Sequence, residues 1–415
     1  MSSKPITHPY EILPLVKAST GLELLAGIRV VDLSTSVAGP YGSQLLADFG
    51  ANVLKVEKPR QGDDARHWGP PFLHGESPWF LSVNRNKHSM TLDINHPDGY
   101  AVLERLLEEA DVLILNLVGR SQLKLKLDYP RLHERYPRLI HASLTGFGLK
   151  GERADLPCYD LIAEGYSGVM DLTGERESPP QKVGTPAADL LAGQDLAMAI
   201  LAALVSRSHT GQGRQIDVSM HATMTRFMAP RLLSYLSSNE LPTRSGGTDS
   251  VIAIYQMFDT ADEKLALGLG NDAIWKRFWN AVGAPEYGVN PAYASNADRR
   301  EHRAEIVGKI AGILRRKNRD EWIALLAQAR VPCGPVNRLD QVAADPDLLE
   351  KQFFYTVQTA KGPVPQVGLG IGFDDGQSVF RKPPPSLGED TRTVLEDWLG
   401  MQGDEIERLE KDGVI

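Results

Sequence analysis

The stretch GIRVVDLSTSVAGPYGSQLLADFGANVLKVEKP (27–59) decides the fold of this chain. Its first part, GIRVVDLS (27–34), is rich in β-branched residues and ends in small polar ones, which predicts a short buried strand. A Gly-Pro turn then opens a segment whose large apolar residues share one face, and this spacing predicts a helix. The last part, NVLKVEKP (52–59), predicts a second strand. Strand, glycine-containing loop, helix and strand form the βαβ unit of a parallel sheet, with the loop at the carboxyl edge where ligands bind.

The pattern continues to about residue 220 and then changes. A long Ala- and Leu-rich run, LAGQDLAMAILAALVSRSHTG (191–211), predicts a helix that is buried on most sides. After residue 225, a predicted hairpin with its turn at Ala261 and three amphipathic helices, over about 271–282, 298–316 and 318–329, indicate a smaller domain. We therefore predict an α/β fold in three parts: 1–225 begins a large domain, 226–335 forms a small α+β domain, and 336–415 returns to complete the large domain. The further predicted strands of the large domain are HSMTLDI (88–94), DVLILNL (111–117), RLIHASLTGFG (138–148) and GRQIDVSM (213–220).

The composition is that of an ordinary globular protein, with 42% hydrophobic and 24% charged residues. The net charge of −8 argues against a general nucleic-acid binder, which needs a basic surface. The two cysteines, Cys158 and Cys333, are far apart and lack metal-ligand spacing, so we expect neither a disulfide framework nor a metal site. The N-terminus has no signal-peptide core, and no uninterrupted apolar run reaches bilayer length. We therefore expect a cytoplasmic protein without a membrane partner.

Asp189 is the most distinctive candidate for chemistry. It stands in VGTPAADLLAG (183–193), among small and apolar residues that offer no positive charge. A carboxylate is rarely buried without a partner, so two interpretations are open. Asp189 either caps the apolar helix that follows, or it is a reactive carboxylate held at the start of that helix by an apolar wall.

Several longer segments occur in a fixed order along the chain. They are SVAGPYGSQLLADFGANVLKVEKP (36–59), SVNRNKHSMTLDI (82–94), RLIHASLTGFGLKG (138–151), YDLIAEGYSGVMDLTGE (159–175), VGTPAADLLAGQDLAMAILAALVSRSHTGQGRQIDVSM (183–220) and VPCGPVN (331–337). Together they resemble the class III CoA-transferases, the CaiB/BaiF group that includes formyl-CoA transferase, carnitine CoA-transferase and α-methylacyl-CoA racemase. The resemblance implies a Rossmann-like large domain built from both ends of the chain, a smaller middle domain, and two copies that interlock as a homodimer.

The resemblance also assigns roles to particular residues. It implies that Asp189 is the catalytic nucleophile, which forms an aspartyl mixed anhydride with the donor acyl group and then an aspartyl-CoA thioester. The partners are then an acyl-CoA donor and a small carboxylic acid acceptor, with coenzyme A as a substrate and no permanently bound cofactor. RSGGTDS (244–250), with Gly246 and Gly247, resembles a mobile glycine loop that covers the site. The implied CoA contacts, with lysines on the phosphates, are Val37, Ala38, Lys58, Leu92, Asn95, Asn116, Lys124 and Tyr159.

An acyl-CoA racemase on the same fold is the main alternative. The racemase branch uses a His–Asp pair whose histidine stands in a G-H-D triplet, and Tyr159 occupies that place here in the triplet CYD. A tyrosine with a pKa near 10 is a poor general base at neutral pH, which favours CoA transfer. A non-catalytic CoA-binding scaffold is the remaining alternative. Departures such as NLVGR (116–120) and GGTDS (246–250) argue against an oxalate or formate specialist, so we expect a dicarboxylic or branched acid, with succinyl-CoA as the donor.

Overall fold

The computed structural model describes residues 8–374 and 379–415. Contacts within the chain divide it into two compact units. The predicted boundaries at residues 225 and 335 place Val169–Lys182 in the large domain and 336–344 in the returning segment, whereas this division groups both with the second unit. Unit 1 comprises Met1–Gly168, Val183–Ala229 and Asp345–Ile415, and unit 2 comprises Val169–Lys182 and Pro230–Ala344.

Strands and helices alternate through the first half of the described chain. The strands are β1 (Arg29–Asp32), β2 (Asn52–Glu57), β3 (Lys87–Thr91), β4 (Val112–Leu115), β5 (Ile140–Thr145), β6 (Gln215–Ser219), β7 (Tyr255–Asp259), β8 (Lys264–Gly268), β9 (Cys333–Pro335), β10 (Phe354–Thr359) and β11 (Gly362–Val367). The α-helices are α1 (Ala38–Asp48), α2 (Pro78–Ser82), α3 (Pro97–Glu108), α4 (Gly119–Lys124), α5 (Tyr129–Arg135), α6 (Asp160–Ser167), α7 (Val169–Leu172), α8 (Ala187–Thr210), α9 (Met220–Phe227), α10 (Ala229–Ser238), α11 (Asp272–Ala281), α12 (Pro285–Gly288), α13 (Asn296–Glu301), α14 (Arg303–Leu314), α15 (Arg319–Gln328), α16 (Leu339–Ala343), α17 (Pro346–Glu350), α18 (Thr391–Asp397) and α19 (Gly403–Lys411). Short 3-10 helices span Pro9–Ile12, Asp64–His67 and Pro291–Tyr293.

A parallel sheet forms the centre of unit 1. Within the described residues it has six strands in the order β3-β2-β1-β4-β5-β6, and every neighbouring pair is parallel. Along the chain, the sheet starts near its centre with β1 and adds β2 and β3 on one side. It then continues with β4 on the other side of β1. The strand order therefore reverses between β1 and β4, and open sheets of this kind bind ligands at the carboxyl ends of the strands that flank such a reversal. The predicted α/β fold with a parallel sheet is confirmed.

The central strands are apolar because helices cover both faces of the sheet. All four residues of β4 are buried. Leu103 and Leu106 of α3 belong to the same buried cluster as Ile406 and Leu409 of α19. Residues from the last helix of the chain therefore complete a core that the early strands begin.

Polar side chains around β3 attach the last segment of unit 1 to the first. The N-cap residue of α18, Asp390, accepts a hydrogen bond from the backbone N–H of Ser89 at 2.9 Å through its Oδ2. The guanidinium of Arg85 donates to the backbone oxygen of Val367 in β11 at 2.6 Å. The side chain of Asn86 accepts from the backbone N–H of Arg381 at 2.7 Å. Residues 85–89, which precede and begin β3, thus bind the returning segment of the chain.

The long helix α8 crosses unit 1 and begins at Ala187, earlier than the predicted 191. By length and apolar composition alone α8 could cross a membrane, which differs from the expectation based on uninterrupted apolar runs. The helix packs against α1, α6, α9 and β5 of the same unit. Near its end, Arg207 donates to a carboxylate oxygen of Asp111 at 2.7 Å.

Unit 2 combines a small antiparallel sheet with helices. Among the described residues the sheet has the strand order β7-β8-β9, and the hairpin predicted around Ala261 is formed by β7 and β8. Aromatic residues of α11, among them Trp275 and Trp279, form the buried core with residues of α14 and α15. The single helix predicted over 298–316 is wrong: a capping box at Ser295 starts α13, and α14 begins separately at Arg303.

Candidate functional site

Asp189 lies in the first turn of α8 but does not cap it. The N-cap position is occupied by Pro186, which offers no side-chain hydrogen bond. The capping role is taken by Asp160, whose Oδ1 accepts from the backbone N–H groups of Ala188 at 2.8 Å and Asp189 at 3.3 Å. Within residues 8–374 and 379–415 no donor lies at hydrogen-bond distance from the carboxylate of Asp189. The capping interpretation of Asp189 is therefore wrong, and its carboxylate accepts no hydrogen bond from the described residues.

The surroundings of Asp189 change its acidity. Burial raises the pKa of its carboxyl group from the ordinary value of 3.8 to about 7, and the negative charge of Asp160 contributes to the rise. The sequence alone does not show how little solvent reaches this side chain. Near neutral pH the carboxylate and its protonated form are therefore both populated. A poorly solvated, more basic carboxylate is also a stronger nucleophile than one in water.

Two glycines bring the start of α1 against the first turns of α8. A Cβ atom on Gly193 would lie 2.6 Å from the backbone oxygen of Ala38, and one on Gly42 would lie 2.8 Å from the backbone oxygen of Gly193. Residues four apart share a face of a helix, so Asp189 and Gly193 lie on the same side of α8. The predicted CoA contacts Val37 and Ala38 therefore stand at the end of α1 that adjoins Asp189.

Buried polar side chains hold the loop before α1 in place. The Nζ of Lys55 donates to the backbone oxygen of Ser34 at 2.9 Å and forms an ion pair with Asp63 at 2.8 Å. The side-chain amide of Asn116 accepts from the N–H of Thr35 at 3.3 Å and donates to its carbonyl at 3.0 Å. Asn116, a predicted CoA contact, is thus also an anchor for this loop.

A cleft of about 360 Å³ lies at the carboxyl ends of β1 to β4, where the strand order reverses. Residues that follow each of the four strands line it. Its floor includes the buried Leu92, and the exposed Lys58 stands on its rim. An apolar floor with cations at the edge suits a nucleotide, whose base is apolar and whose phosphates are anionic. The predicted CoA contacts that the structure brings together here are Lys58, Leu92, Asn95, Asn116 and Lys124.

The remaining predicted contact, Tyr159, lies elsewhere in unit 1. It is the N-cap residue of α6, is 67% exposed, and does not line the cleft. The next residue, Asp160, is the one that contacts the start of α8. Sequence reasoning missed Asp160, and its only signal was an acidic residue at the start of a helix.

The predicted glycine loop belongs to unit 2. Gly246 and Gly247 line a cavity of about 540 Å³ together with residues of β7, β8 and β9. Gly246 has a φ of +58°, and its backbone N–H donates to the oxygen of Gly174 at 2.9 Å. The role of this loop over the reacting groups stays a prediction.

A doubly wound parallel sheet, a cleft at its reversal point and lysines on the rim are features that many nucleotide-binding α/β proteins share. The model of CoA-transferase family III matches residues 25–391, and the chain belongs to this family. The predicted resemblance is thereby confirmed, and the chain is a CoA-transferase.

Characterised relatives and a solved structure agree with this assignment. The succinate–glutarate CoA-transferase of Agrobacterium fabrum is 36% identical, over 89% of this chain and 94% of its own. The succinyl-CoA:glutarate CoA-transferase of Mus musculus is 32% identical, over 94% and 90% of the two chains. The crystal structure of a CaiB/BaiF family protein from Brucella suis has a TM-score of 0.79 and 35% identity, over 90% of this chain and 99% of its own. Both of these relatives are named as CoA-transferases, in agreement with the leading interpretation of the sequence.

Proposed function

We propose that this CoA-transferase moves CoA from an acyl-CoA thioester to a free carboxylic acid through covalent intermediates on Asp189. One observation carries the proposal: the carboxylate of Asp189 is partly buried, accepts no hydrogen bond from the described residues, and adjoins the start of α1. A carboxylate nucleophile suits acyl exchange between a thioester and an acid, because each step then exchanges one acyl bond for another.

The reaction proceeds in balanced steps. A carboxylate oxygen of Asp189 attacks the donor thioester carbonyl, the C–S bond breaks, and a mixed anhydride and CoA thiolate form. The thiolate attacks the aspartyl carbonyl and the anhydride C–O bond breaks. The donor acid is released, and an aspartyl-CoA thioester remains on the enzyme. The acceptor carboxylate then attacks this thioester and the same two steps run in reverse, which restores the Asp189 carboxylate. Backbone N–H groups near the reacting carbonyls stabilise each developing oxyanion.

CoA binds as a substrate, with its nucleotide in the cleft at the reversal point of the sheet. Leu92 packs against the base, while Lys58 and Lys124 hold the phosphates. Val37 and Ala38, at the start of α1, contact the CoA arm.

The acids exchanged are dicarboxylic, with succinyl-CoA as a donor. The relatives in Agrobacterium fabrum and Mus musculus are named for succinate or succinyl-CoA and for glutarate, and each matches about nine tenths of this chain. This similarity supports a dicarboxylic substrate over a branched monocarboxylic one.

Trapping the covalent intermediate tests the mechanism. We expect the wild-type enzyme incubated with succinyl-CoA and then hydroxylamine to yield a modified peptide containing Asp189, detected by mass spectrometry. Asp189→Asn should give no adduct and no CoA exchange onto glutarate. The matched control is Asp195→Asn, because Asp195 lies on the same helix but its carboxylate is already bound by Thr223 and Arg226. An adduct on another residue, or exchange by Asp189→Asn, contradicts the mechanism.

We also propose that two copies form an interlocked homodimer. Large apolar side chains are exposed on three helices of unit 1 that pack together, α6, α8 and α9. Exposed apolar patches of this kind mark protein interfaces. Light scattering should give twice the chain mass at micromolar concentration, and a monomer there contradicts the proposal. The side chains concerned are Leu161, Ile162, Met198, Val205 and Phe227.

A further inference from the structure

The loop between β5 and α6 carries Arg153, a cation that forms no ion pair with the described residues. Its guanidinium lies over the ring of Tyr166, 4.6 Å from the ring centroid. The side chain is exposed, and no carboxylate of the described residues lies within ion-pair distance of it. A guanidinium that stacks through its face keeps the N–H donors on its edge available, and those donors match the geometry of a carboxylate.

Tyr166, the ring that Arg153 lies over, belongs to a cluster of three aromatic rings at the carboxyl ends of β5 and β6. Tyr166 contacts Phe147 with ring centroids 5.1 Å apart and His221 at 5.7 Å, and Phe147 lies 5.8 Å from His221. Burial and the charge of Arg153 lower the pKa of His221, so its ring is neutral at pH 7. Arg153 therefore supplies the positive charge of this cluster.

The aromatic cluster is continuous with the surroundings of Asp189. Phe147 follows Gly146, and a Cβ atom on Gly146 would lie 2.1 Å from the Cβ of Cys158. Burial, and then the charge of Asp189, raise the pKa of the Cys158 thiol to about 11, as a nearby carboxylate does. Asp189, Cys158, Gly146 and Phe147 are thus successive neighbours in unit 1, and Arg153 lies over Tyr166, the ring that Phe147 contacts.

We propose that Arg153 binds the second carboxylate of a dicarboxylic acyl group while the first carboxyl carbon reacts at Asp189. This inference rests on the proposed function and names the residue that selects the substrate class. A dicarboxylic acyl group gains a charge-assisted, two-point contact with Arg153, whereas a monocarboxylic group of equal length leaves the cation unused.

The test compares succinyl-CoA with butyryl-CoA, whose acyl chains differ in the terminal carboxylate. The measurement is single-turnover release of the free acid without an acceptor, read as a second-order rate constant for each thioester. For Arg153→Gln we expect the ratio of the two constants, succinyl over butyryl, to fall about tenfold to a hundredfold. Arg153→Lys keeps the charge and should recover part of the ratio. The control is Lys150→Gln, an exposed cation on the same loop, which should change the ratio by less than about twofold.

Other results overturn the assignment. An equal fall in both rate constants for Arg153→Gln would mean that Arg153 contacts CoA itself or stabilises the fold. An unchanged ratio, or a wild-type enzyme that does not prefer succinyl-CoA, removes the role as well. Wild-type enzyme that releases acid from neither thioester contradicts the proposed function itself, so the two failures are distinguishable.

Discussion

Asp189 and Asp160 bring two carboxylates together at the start of α8. Asp160 accepts hydrogen bonds from the first N–H groups of the helix, which stabilise its negative charge. Asp189 receives no such bond from the described residues, and burial together with the charge of Asp160 raises its pKa to about 7. Asp160 therefore caps the helix, whereas the carboxylate of Asp189 is basic and poorly solvated.

This arrangement predicts a pH dependence that Asp160 controls. Attack requires ionised Asp189, so the single-turnover rate of wild-type enzyme should rise with pH through about 7. Asp160→Asn keeps the acceptor oxygen for the helix but removes the charge, which lowers the pKa of Asp189. We therefore expect the acid limb of the pH–rate profile to move to lower pH in Asp160→Asn. An acid limb that stays in place, in a variant with the wild-type melting temperature, contradicts this coupling.

The same pair shows what the sequence can and cannot reveal at a site. The family motifs predict Asp189 as the reactive residue. The sequence does not show that α8 starts at Ala187, because that boundary depends on a hydrogen bond between residues 28 positions apart. Arg153 is missed for a similar reason: its contact with Tyr166 exists only once α6 packs beside the loop.

At the scale of elements, the contact between α1 and α8 positions the residues of the candidate site. The two helices approach so closely at Gly42 and Gly193 that a side chain on either would meet backbone atoms. Because α1 follows the loop that lines the cleft and α8 starts near Asp189, we expect this contact to set the spacing between the proposed CoA site and Asp189.

Gly193→Ala should therefore weaken both the fold and the reaction. The added methyl group would meet the backbone oxygen of Ala38, which we expect to lower the free energy of unfolding by roughly 1 to 2 kcal/mol despite the better helix propensity of alanine. The rate of CoA exchange should fall as well. Gly308→Ala in α14 is the control, because no atom lies within 4 Å of its added Cβ, and this change should slightly raise the melting temperature. Equal melting temperatures for the two variants contradict the prediction.

Elements with strong local periodicity are predicted from the sequence. The βαβ unit over 27–59 appears as β1, α1 and β2, since apolar spacing and the Gly-Pro turn are both local signals. The hairpin of β10 and β11 was missed, because GPVPQV contains two prolines that hide its strand pattern. Its stability comes instead from burial of Val357 and Val364 against Phe380.

At the scale of the whole molecule, unit 1 depends on contacts between distant parts of the chain. Asp390 accepts from Ser89, pairs with Lys382 and contacts His88, so one carboxylate joins the returning segment to β3. Burial opposes the charge of Asp390, but these hydrogen bonds and the charge of Lys382 outweigh it and lower the pKa to about 2.

Asp390→Asn should destabilise the protein in a pH-dependent way. A carboxyl group with a lowered folded-state pKa stabilises the fold above its unfolded value of 3.8, and this stability is lost as pH falls through about 2. At pH 7 we expect the variant to lose roughly 1 to 2 kcal/mol, with a difference from wild type that shrinks in acid. Thermal melting between pH 7 and pH 2 measures this. Asp397→Asn, an exposed aspartate on the same helix, should match wild type throughout.

The contact between β3 and the returning segment has a consequence for how the protein folds during synthesis. Ser89 and Asp390 are 301 residues apart, and all of unit 2 is translated between them. At bacterial or eukaryotic elongation rates this interval lasts about 15 to 60 s. Throughout it, the ribosome-attached chain presents β3 as an open parallel edge, which other strands can pair with until the returning segment is translated.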